Sequence, residues 1–334
     1  MIDPKSIKGL SSDSRVVKPG WLFAALQGSK ADGETYIADA IRNGASVILG
    51  GDRATIPENL KNDHTRLIQS ENPRLDFSRI ASAFYGRQPD SIAAVTGTNG
   101  KTSTAVFTQQ IWEALGHKSI SIGTLGVRGG GMDRDGTHTT PDPAALHALL
   151  AEMESAGVTH AAMEASSHGL DQYRLDGVHL KAAAFTNLTR DHLDYHGTME
   201  AYKLAKLRLF TEVLLPGGLA VLNADVPEFA EFREATLKAG RKVVSFGKNA
   251  SDIKLLSAEP VSEGQHIKVQ VDGKTYDLTV PLIGSFQIYN LLCAAGLSMA
   301  PFAEIAPLLP AIKGVPGRMQ AVPGHPKGAG VYVD

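Results

Sequence analysis

The sequence contains one cysteine, Cys293, among its 334 residues, so no disulfide can form within the chain. Cys293 lies in an apolar run that ends at Ala295, and a small buried side chain is favoured there over a reactive thiol. The first five residues lack an apolar signal region, and no segment is long and apolar enough to span a membrane. These absences predict a cytoplasmic protein in a reducing environment.

The chain also has little net charge: its 33 Lys and Arg residues nearly balance its 35 Asp and Glu residues, which gives a net charge of −2. This balance gives no reason to expect a nucleic-acid partner or a membrane surface. Apolar residues make up 43% of the chain and charged residues 20%, as in ordinary soluble globular proteins. The length allows two domains, since single cores stop growing near roughly 250–300 residues.

One run of small residues predicts a phosphate site. An apolar strand at 92–96 leads into a turn, and a helix then opens with Lys-Thr; the residues are Gly97, Thr98, Asn99, Gly100, Lys101, Thr102 and Ser103. Such a turn directs backbone N–H groups and a helix N-terminus into one concavity, with the lysine near the outer phosphates and the threonine hydroxyl near Mg²⁺. Two residues separate the glycines, where the usual pattern has four, so a plain glycine turn is the alternative. The strand-to-helix context favours ATP or GTP.

Alternating strand and helix patterns predict an α/β fold. A small α/β domain is expected at residues 1–88, with strands at 22–26 and 45–49 and a helix at 36–43. A central, doubly wound domain with a mostly parallel sheet is expected at 89–314. Its predicted helices are 143–155, 199–209 and 228–239, its strands 159–163, 182–186 and 219–222, and an antiparallel hairpin covers 267–280. Residues 315–334 are predicted to be a hinge and the first strand of a third domain, which we expect to begin where the chain stops.

Three polar clusters lie at predicted strand ends of the central domain, where ligands of a parallel sheet bind. They lie at 138–142, 163–170 and 186–197. Glu164, His192 and Thr102 are candidates to hold Mg²⁺ around a triphosphate, although His192 alone is more often a structural hydrogen-bonding residue. Zinc is disfavoured, because the histidines lack helical spacing and no cysteine is near. Lys206 lies among apolar residues, where a lowered pKa would let it react with CO₂.

The order of these motifs resembles the Mur ligases, the ATP-dependent amide ligases that build the peptidoglycan stem peptide. The matching segments are Thr-Gly-Thr-Asn-Gly-Lys-Thr at 96–102, His-Thr-Thr-Pro-Asp at 138–142, Glu-Ala-Ser-Ser-His-Gly-Leu at 164–170, Asn-Leu-Thr-Arg-Asp-His-Leu-Asp-Tyr-His-Gly at 187–197 and Ala-Tyr-Lys-Leu-Ala-Lys at 201–206. Residues 13–28 are similar to the family's UDP-binding N-terminal domain. The second and third motifs favour the ligase that adds the third stem-peptide residue over the ligase that acts next.

The resemblance implies a role for each matching residue. It makes Lys101, Lys206, His192 and Glu164 catalytic, and Thr102, Glu164, His192 and Lys206, the last as a carbamate, metal-associated. It assigns the phosphate-loop residues, Asn290 on the adenine side and Arg318 of the interdomain hinge to ATP. The UDP-muramoyl-peptide substrate would be held by Ser14, Thr139, Thr140, Ser166, Gln172 and Arg174.

The resemblance also implies a reaction in cell-wall synthesis. With ATP and Mg²⁺, a free amino acid (meso-diaminopimelate or L-lysine) would join UDP-MurNAc-L-Ala-D-Glu through an acyl phosphate. A monomer without nucleic-acid partner or membrane insertion is expected. Because family members have three domains, we expect residues 1–334 to bind the UDP-substrate with little ligase activity; robust substrate-dependent phosphate release would contradict this.

Two alternatives remain open at this point. The next Mur ligase, or a folylpolyglutamate synthetase, shares the phosphate loop and central fold, although the synthetase is not expected to carry segment 13–28. A nucleotide-dependent switch such as a GTPase would carry Asn-Lys-x-Asp after a later strand, where this chain has Asn-Leu-Thr-Arg-Asp at 187–191.

Overall fold

The computed structural model describes residues 3–28, 32–136, 139–322 and 331–333. The described chain divides into two compact units. The first unit comprises Met1–Gln88, Pro141–Met153 and Gln172–Val178, and the second comprises Pro89–Thr140, Glu154–Asp171 and His179–Asp334. No helix within the described ranges has both the length and the apolar character needed to cross a lipid bilayer.

The helices and strands are numbered in chain order. The strands are β1 (Leu10–Ser11), β2 (Leu22–Ala24), β3 (Val47–Gly50), β4 (Arg66–Gln69), β5 (Ser91–Thr96), β6 (Ser119–Gly123), β7 (Gly126–Arg128), β8 (His160–Glu164), β9 (Leu180–Phe185), β10 (Leu219–Asn223), β11 (Lys242–Gly247), β12 (Ile253–Val261), β13 (Gly264–Val271), β14 (Lys274–Val280), β15 (Gln320–Val322) and β16 (Val331–Val333). The helices are α1 (Ile37–Arg42), α2 (Pro73–Tyr85), α3 (Lys101–Ala114), α4 (Pro143–Ser155), α5 (Ser167–Asp171), α6 (Leu193–His196), α7 (Met199–Arg208), α8 (Phe229–Lys238), α9 (Ser285–Leu297) and α10 (Phe302–Ile305).

The first unit is built on a parallel sheet in the order β1-β2-β3-β4. Because successive strand residues point to opposite faces, Leu22 packs with Phe77 of α2 on one side, while Phe23 packs with Ile37 of α1 on the other. The stretch Gln172–Val178 is held by α2, since the Ser82 hydroxyl donates to the Gly177 carbonyl at 2.8 Å. Both sheet faces are therefore covered, as parallel sheets require.

The second unit has a ten-stranded sheet in the order β14-β13-β12-β11-β10-β9-β5-β8-β6-β7. The seven central strands of this sheet, β12-β11-β10-β9-β5-β8-β6, pair with one another in parallel. At the two edges, β7 pairs antiparallel with β6, β13 with β12, and β14 with β13. These pairings confirm the predicted doubly wound, mostly parallel domain with an antiparallel hairpin. The central strand β5 lies between β8 and β9, so the loops that follow these three strands meet at one edge.

Helices α3 and α9 pack in one hydrophobic core with residues of β5 and its neighbouring strands. Cys293 of α9 is fully buried in this core, together with Phe107 and Trp112 of α3. Burial raises the pKa of the Cys293 thiol. The prediction of a small buried side chain there is consistent with this environment, because a thiol in apolar surroundings is disfavoured as a thiolate.

We expect His160 to make the second unit less stable in acid. The His160 ring stacks on His117 with centroids 4.0 Å apart, and burial, followed by the charges of His117 and Lys181, lowers the pKa of His160 to about 4. Between about pH 6.5 and about pH 4, His160 is protonated in the unfolded chain but neutral in the folded chain. The free energy of unfolding therefore falls as the pH is lowered through this range. Solvent screening at this partly exposed ring limits the loss to about 1 kcal/mol. Urea unfolding of wild type and His160→Gln at both ends of this range measures it; an equal loss in the variant would contradict the assignment.

Candidate active site

The phosphate loop connects β5 to α3 and owes its shape to two glycines. Gly97 has φ +150° and Gly100, the N-cap of α3, has φ +87°. The Thr104 N–H donates to the Gly100 carbonyl at 2.9 Å, which leaves the N–H groups of the first helical turn directed toward the loop. A helix N-terminus opening from a glycine turn is a favourable place for an anion. The glycine turn and the helix N-terminus that the sequence predicted are thus present in the backbone.

A cleft of about 410 Å³ in the second unit opens at this loop. Its lining brings together most of the predicted residues of the unit: Thr98, Asn99, Gly100, Lys101, Thr102, Ser103, Thr139, Glu164, Ser166, His192, Lys206, Asn290 and Arg318. It also contains residues that the sequence did not single out, namely Thr124, Ser167, Tyr202, Phe286 and Gln287. Most of the predicted residues come from the ends of β5, β8 and β9 and the loops after them, and from α3, α7 and α9, which explains how distant motifs form one site. Thr139 comes from the segment before α4 and Arg318 from the segment before β15.

Glu164, the last residue of β8, is 2% exposed and faces the phosphate loop. Its Oε1 accepts from the Thr102 hydroxyl at 3.0 Å and from the Thr124 backbone N–H at 2.7 Å. The Glu164 carboxylate is therefore held beside the Thr102 hydroxyl, in the first turn of α3. This pair of oxygen donors is of the kind that Mg²⁺ prefers alongside phosphate and water.

A partly buried lysine, Lys101, and a buried lysine, Lys206, meet at the same backbone oxygen. Lys101 Nζ donates to the Gly97 carbonyl at 2.9 Å and to the Thr98 carbonyl at 2.8 Å, and Lys206 Nζ donates to the Gly97 carbonyl at 3.0 Å. Lys206 is 1% exposed and lies 4.3 Å from the Tyr202 ring centroid. Burial lowers the pKa of both lysines, and the charge of Lys101 lowers that of Lys206 further. The strongly lowered pKa of Lys206 favours its neutral amine, the form that can react with CO₂.

His192 lines the cleft and is the N-cap residue of α6, with φ +51°. Its backbone N–H donates to Asp191 Oδ1 at 2.9 Å, and its Nε2 lies 3.4 Å from Asp191 Oδ2. Within the described ranges, no three His, Cys, Asp or Glu side chains converge to hold a metal ion. A site completed by phosphate and water oxygens therefore fits these residues better than a zinc site made by the protein alone.

Thr139 and Thr140 take different positions although they are neighbours. Thr139 lines the cleft, where its hydroxyl lies 3.1 Å from that of Thr124. Thr140 is 1% exposed, donates to the Glu164 carbonyl at 3.0 Å and accepts from the Ser166 N–H at 3.1 Å. Thr140 thus braces the loop that presents Ser166. The first residue of this motif, His138, lies outside the described residues.

The first unit has its own pocket of about 390 Å³. It is lined by Ser12, Leu26, Gly28, Gly33, Tyr36, Arg74, Asp142, Pro143, Gln172 and Arg174. Arg174 Nη2 donates to Gln172 Oε1 at 2.8 Å, so two residues predicted to bind the substrate line this pocket side by side. Ser14 lies instead in a neighbouring recess that shares Ser12 and Tyr36 with the pocket.

Arg74 was not identified from the sequence as a pocket residue. Its guanidinium donates to the Gln27 carbonyl and lines the same pocket of the first unit. It lies in the first turn of α2, where an arginine in a helical pattern carries no signal of its own. The pocket therefore offers two guanidinium groups, of Arg74 and Arg174, which suit a bidentate anion such as a phosphate or carboxylate.

Comparison with known proteins identifies the family. The model described as the Mur ligase middle domain matches residues 95–298, and that described as Mur ligase family, catalytic domain, matches residues 6–85. UDP-N-acetylmuramoyl-L-alanyl-D-glutamate–2,6-diaminopimelate ligase of Mesorhizobium japonicum is 47% identical over 334 residues, covering 98% of this chain and 68% of the relative. The enzyme of the same name from Rhizobium meliloti is 49% identical over 331 residues, covering 98% and 67%. The chain thus spans about two thirds of the length of these relatives.

Solved structures agree with this result. The structure of a protein with the same ligase name superposes with a TM-score of 0.84 at 28% identity, covering 96% of this chain and 65% of that one. Mycobacterium tuberculosis folylpolyglutamate synthase superposes with a TM-score of 0.63 at 19% identity and covers 78% of this chain and 66% of its own, so it shares the fold. The middle-domain match and the relatives that are nearly half identical along almost the whole sequence show that the chain belongs to the Mur ligase family.

Proposed function

We propose that the chain provides the ATP cleft and the UDP-substrate pocket of a ligase that joins diaminopimelate to UDP-N-acetylmuramoyl-L-alanyl-D-glutamate. The observation that carries the proposal is the convergence of Lys101, Glu164 and Lys206 on the mouth of the phosphate loop. The reaction named for the relatives supplies the substrate and the amino acid.

The chemistry needs charge neutralisation rather than a nucleophilic side chain. The substrate carboxylate attacks the γ-phosphorus of ATP, ADP leaves, and an acyl phosphate results. The amino acid's amine then attacks the acyl carbon, phosphate leaves and the amide forms. Both reacting partners of the first step are anions. The N–H groups at the start of α3 and the Lys101 ammonium would bind the phosphate oxygens and lower this repulsion.

Mg²⁺ fits the oxygen donors of the cleft, which Glu164 and Thr102 provide side by side. These two residues would hold it, with His192 at the rim. When bound, the ion supplies further positive charge at the phosphates. Glu164 is kept in place for this task by the Thr124 N–H.

We also propose that Lys206 carries a carbamate, formed when its neutral amine attacks CO₂ and releases a proton. In labelled bicarbonate at alkaline pH, carbon NMR of the chain should show one slowly exchanging carbamate signal that Lys206→Met removes. Lys118→Met is the matched control, because Lys118 Nζ likewise donates to a backbone carbonyl, that of Ala156, but on an exposed part of the same unit. A signal that survives in Lys206→Met would place the carbamate elsewhere.

Arg174 is expected to serve the substrate pocket alone. Replacing Arg174 with alanine should weaken UDP-substrate binding about tenfold or more, because a charge-assisted contact is lost, and leave MgATP affinity unchanged. Calorimetric titration of both ligands measures this. Arg42→Ala, at an exposed arginine paired with Asp39, is the control and should bind as wild type does. Unchanged substrate affinity in Arg174→Ala would contradict the assignment.

A further inference from the structure

The segment that follows β9, residues 186–189, makes a dense set of hydrogen bonds to the phosphate loop. The Asn187 carboxamide pairs with both backbone groups of Asn99: Oδ1 accepts from the Asn99 N–H at 3.0 Å, and Nδ2 donates to the Asn99 carbonyl at 3.2 Å. The Asn187 carbonyl accepts from the Thr98 N–H at 2.9 Å. One residue thus engages three backbone groups of the loop.

Neighbouring residues complete the arrangement. The Thr186 hydroxyl donates to the Asn99 carbonyl at 2.6 Å, and the Thr189 N–H donates to the Thr98 hydroxyl at 2.9 Å. A Cβ on Gly97 would lie 1.9 Å from the Thr186 Oγ1, so the segment also occupies the space that a side chain at Gly97 would need. The outer arm of the loop is therefore shaped by residues nearly ninety positions away in sequence.

These bonds decide which amides face a ligand. The N–H groups of Thr98 and Asn99 are directed to Asn187, so the phosphate-facing amides begin at Gly100 and continue into the first turn of α3. We propose that Asn187 is a positioning residue for nucleotide binding, which holds Asn99 so that the Gly100 amide and the start of α3 are open to phosphate. The inference rests on the proposed nucleotide role of the cleft.

The test compares MgATP affinity in three variants at about pH 8 and about pH 5, each relative to wild type at the same pH. Asn187→Ala removes both side-chain bonds and should weaken binding about tenfold at both pH values. Asn187→Asp keeps the acceptor but turns a carboxylate oxygen toward the Asn99 carbonyl. It should bind about tenfold more weakly near pH 8 and recover part of the affinity near pH 5, because the Asn99 carbonyl beside the new carboxylate raises its pKa and the protonated acid again donates.

Asn62→Ala is the matched control, because Asn62 also pairs with two backbone groups of an exposed loop, those of Leu60 and His64, in the first unit. It should leave MgATP affinity unchanged. UDP-substrate affinity, measured on the same samples, should be unchanged in the Asn187 variants, and the thermal midpoint should stay well above the titration temperature. Recovery of Asn187→Asp in acid, with no recovery of Asn187→Ala, is the supporting result.

Three results would overturn the inference. Wild-type affinity in Asn187→Ala would show that only the added charge matters in Asn187→Asp. Equal losses of MgATP and UDP-substrate affinity would show general destabilisation. Absence of MgATP binding by the wild-type chain would overturn the proposed function itself, and the inference with it, and is distinguished by the wild-type titration alone.

Discussion

Replacing Gly100 with alanine should weaken MgATP binding to the chain by about a hundredfold or more. Gly100 has φ +87°, a backbone conformation that alanine adopts only with strain. Its Cβ would also lie 2.2 Å from Asn290 Oδ1. Asn290 is 6% exposed and donates to Gln287 Oε1 at 3.0 Å, so moving it disturbs the buried wall of the cleft. The new methyl group would displace the loop where the phosphate amides begin.

The control for this variant lies at the other end of the same helix. Gly116 follows α3 with φ +88°, and a Cβ there would meet nothing within 4 Å. Gly116→Ala therefore imposes the backbone strain without the clash, and should lower the thermal midpoint while leaving MgATP affinity at the wild-type value. If Gly100→Ala bound MgATP as tightly as Gly116→Ala does, the loop would not be the phosphate site.

Replacing Lys101 with methionine should reduce MgATP affinity about a hundredfold and change AMP affinity little. The Lys101 ammonium is held at the loop by the Gly97 and Thr98 carbonyls, 2.9 and 2.8 Å away, and lines the cleft. From there it can reach the outer phosphates that ATP has and AMP lacks. Methionine keeps the length and apolar stem of the side chain but removes the charge and its donors.

Titrations of ATP, ADP and AMP into wild type and Lys101→Met measure this prediction. Lys118→Met removes a lysine that also donates to a backbone carbonyl, and should bind all three nucleotides as wild type does. Equal losses for AMP and ATP in Lys101→Met would mean that the lysine supports the fold of the loop rather than the outer phosphates.

Local sequence patterns were enough to predict the alternating strands and helices of the central domain. Alternating strand and helix signals predicted the central sheet, and the proline after Asp142 predicted α4, which the structure places at Pro143–Ser155. Strands β6 and β7 and helix α2 were not predicted. β7 has three residues, begins with a glycine and is followed by three more, so it is too short to show an alternating pattern. β12 adds a third antiparallel strand to the predicted hairpin.

The positions of residues in the cleft were predictable where the residues stand in a recognisable motif. Lys101 and Thr102 follow from the strand-turn-helix pattern, and Glu164 and Lys206 followed from their motifs and the family resemblance. Thr124 could not be found in this way, because it reaches the cleft only through the pairing of β6 with β8. Tyr202 lies in the motif at 201–206, but that motif gave it no role of its own. The sequence also carried no sign that residues 141–153 and 172–178 belong to the first unit.

The most direct test is a calorimetric titration of the chain with MgATP and, separately, with UDP-N-acetylmuramoyl-L-alanyl-D-glutamate. We expect each ligand to saturate at one site per chain. Lys101→Met should remove most of the MgATP binding alone, and Arg174→Ala should weaken the UDP-substrate binding alone. Saturable binding of neither ligand, or loss of both ligands in either variant, would contradict the account.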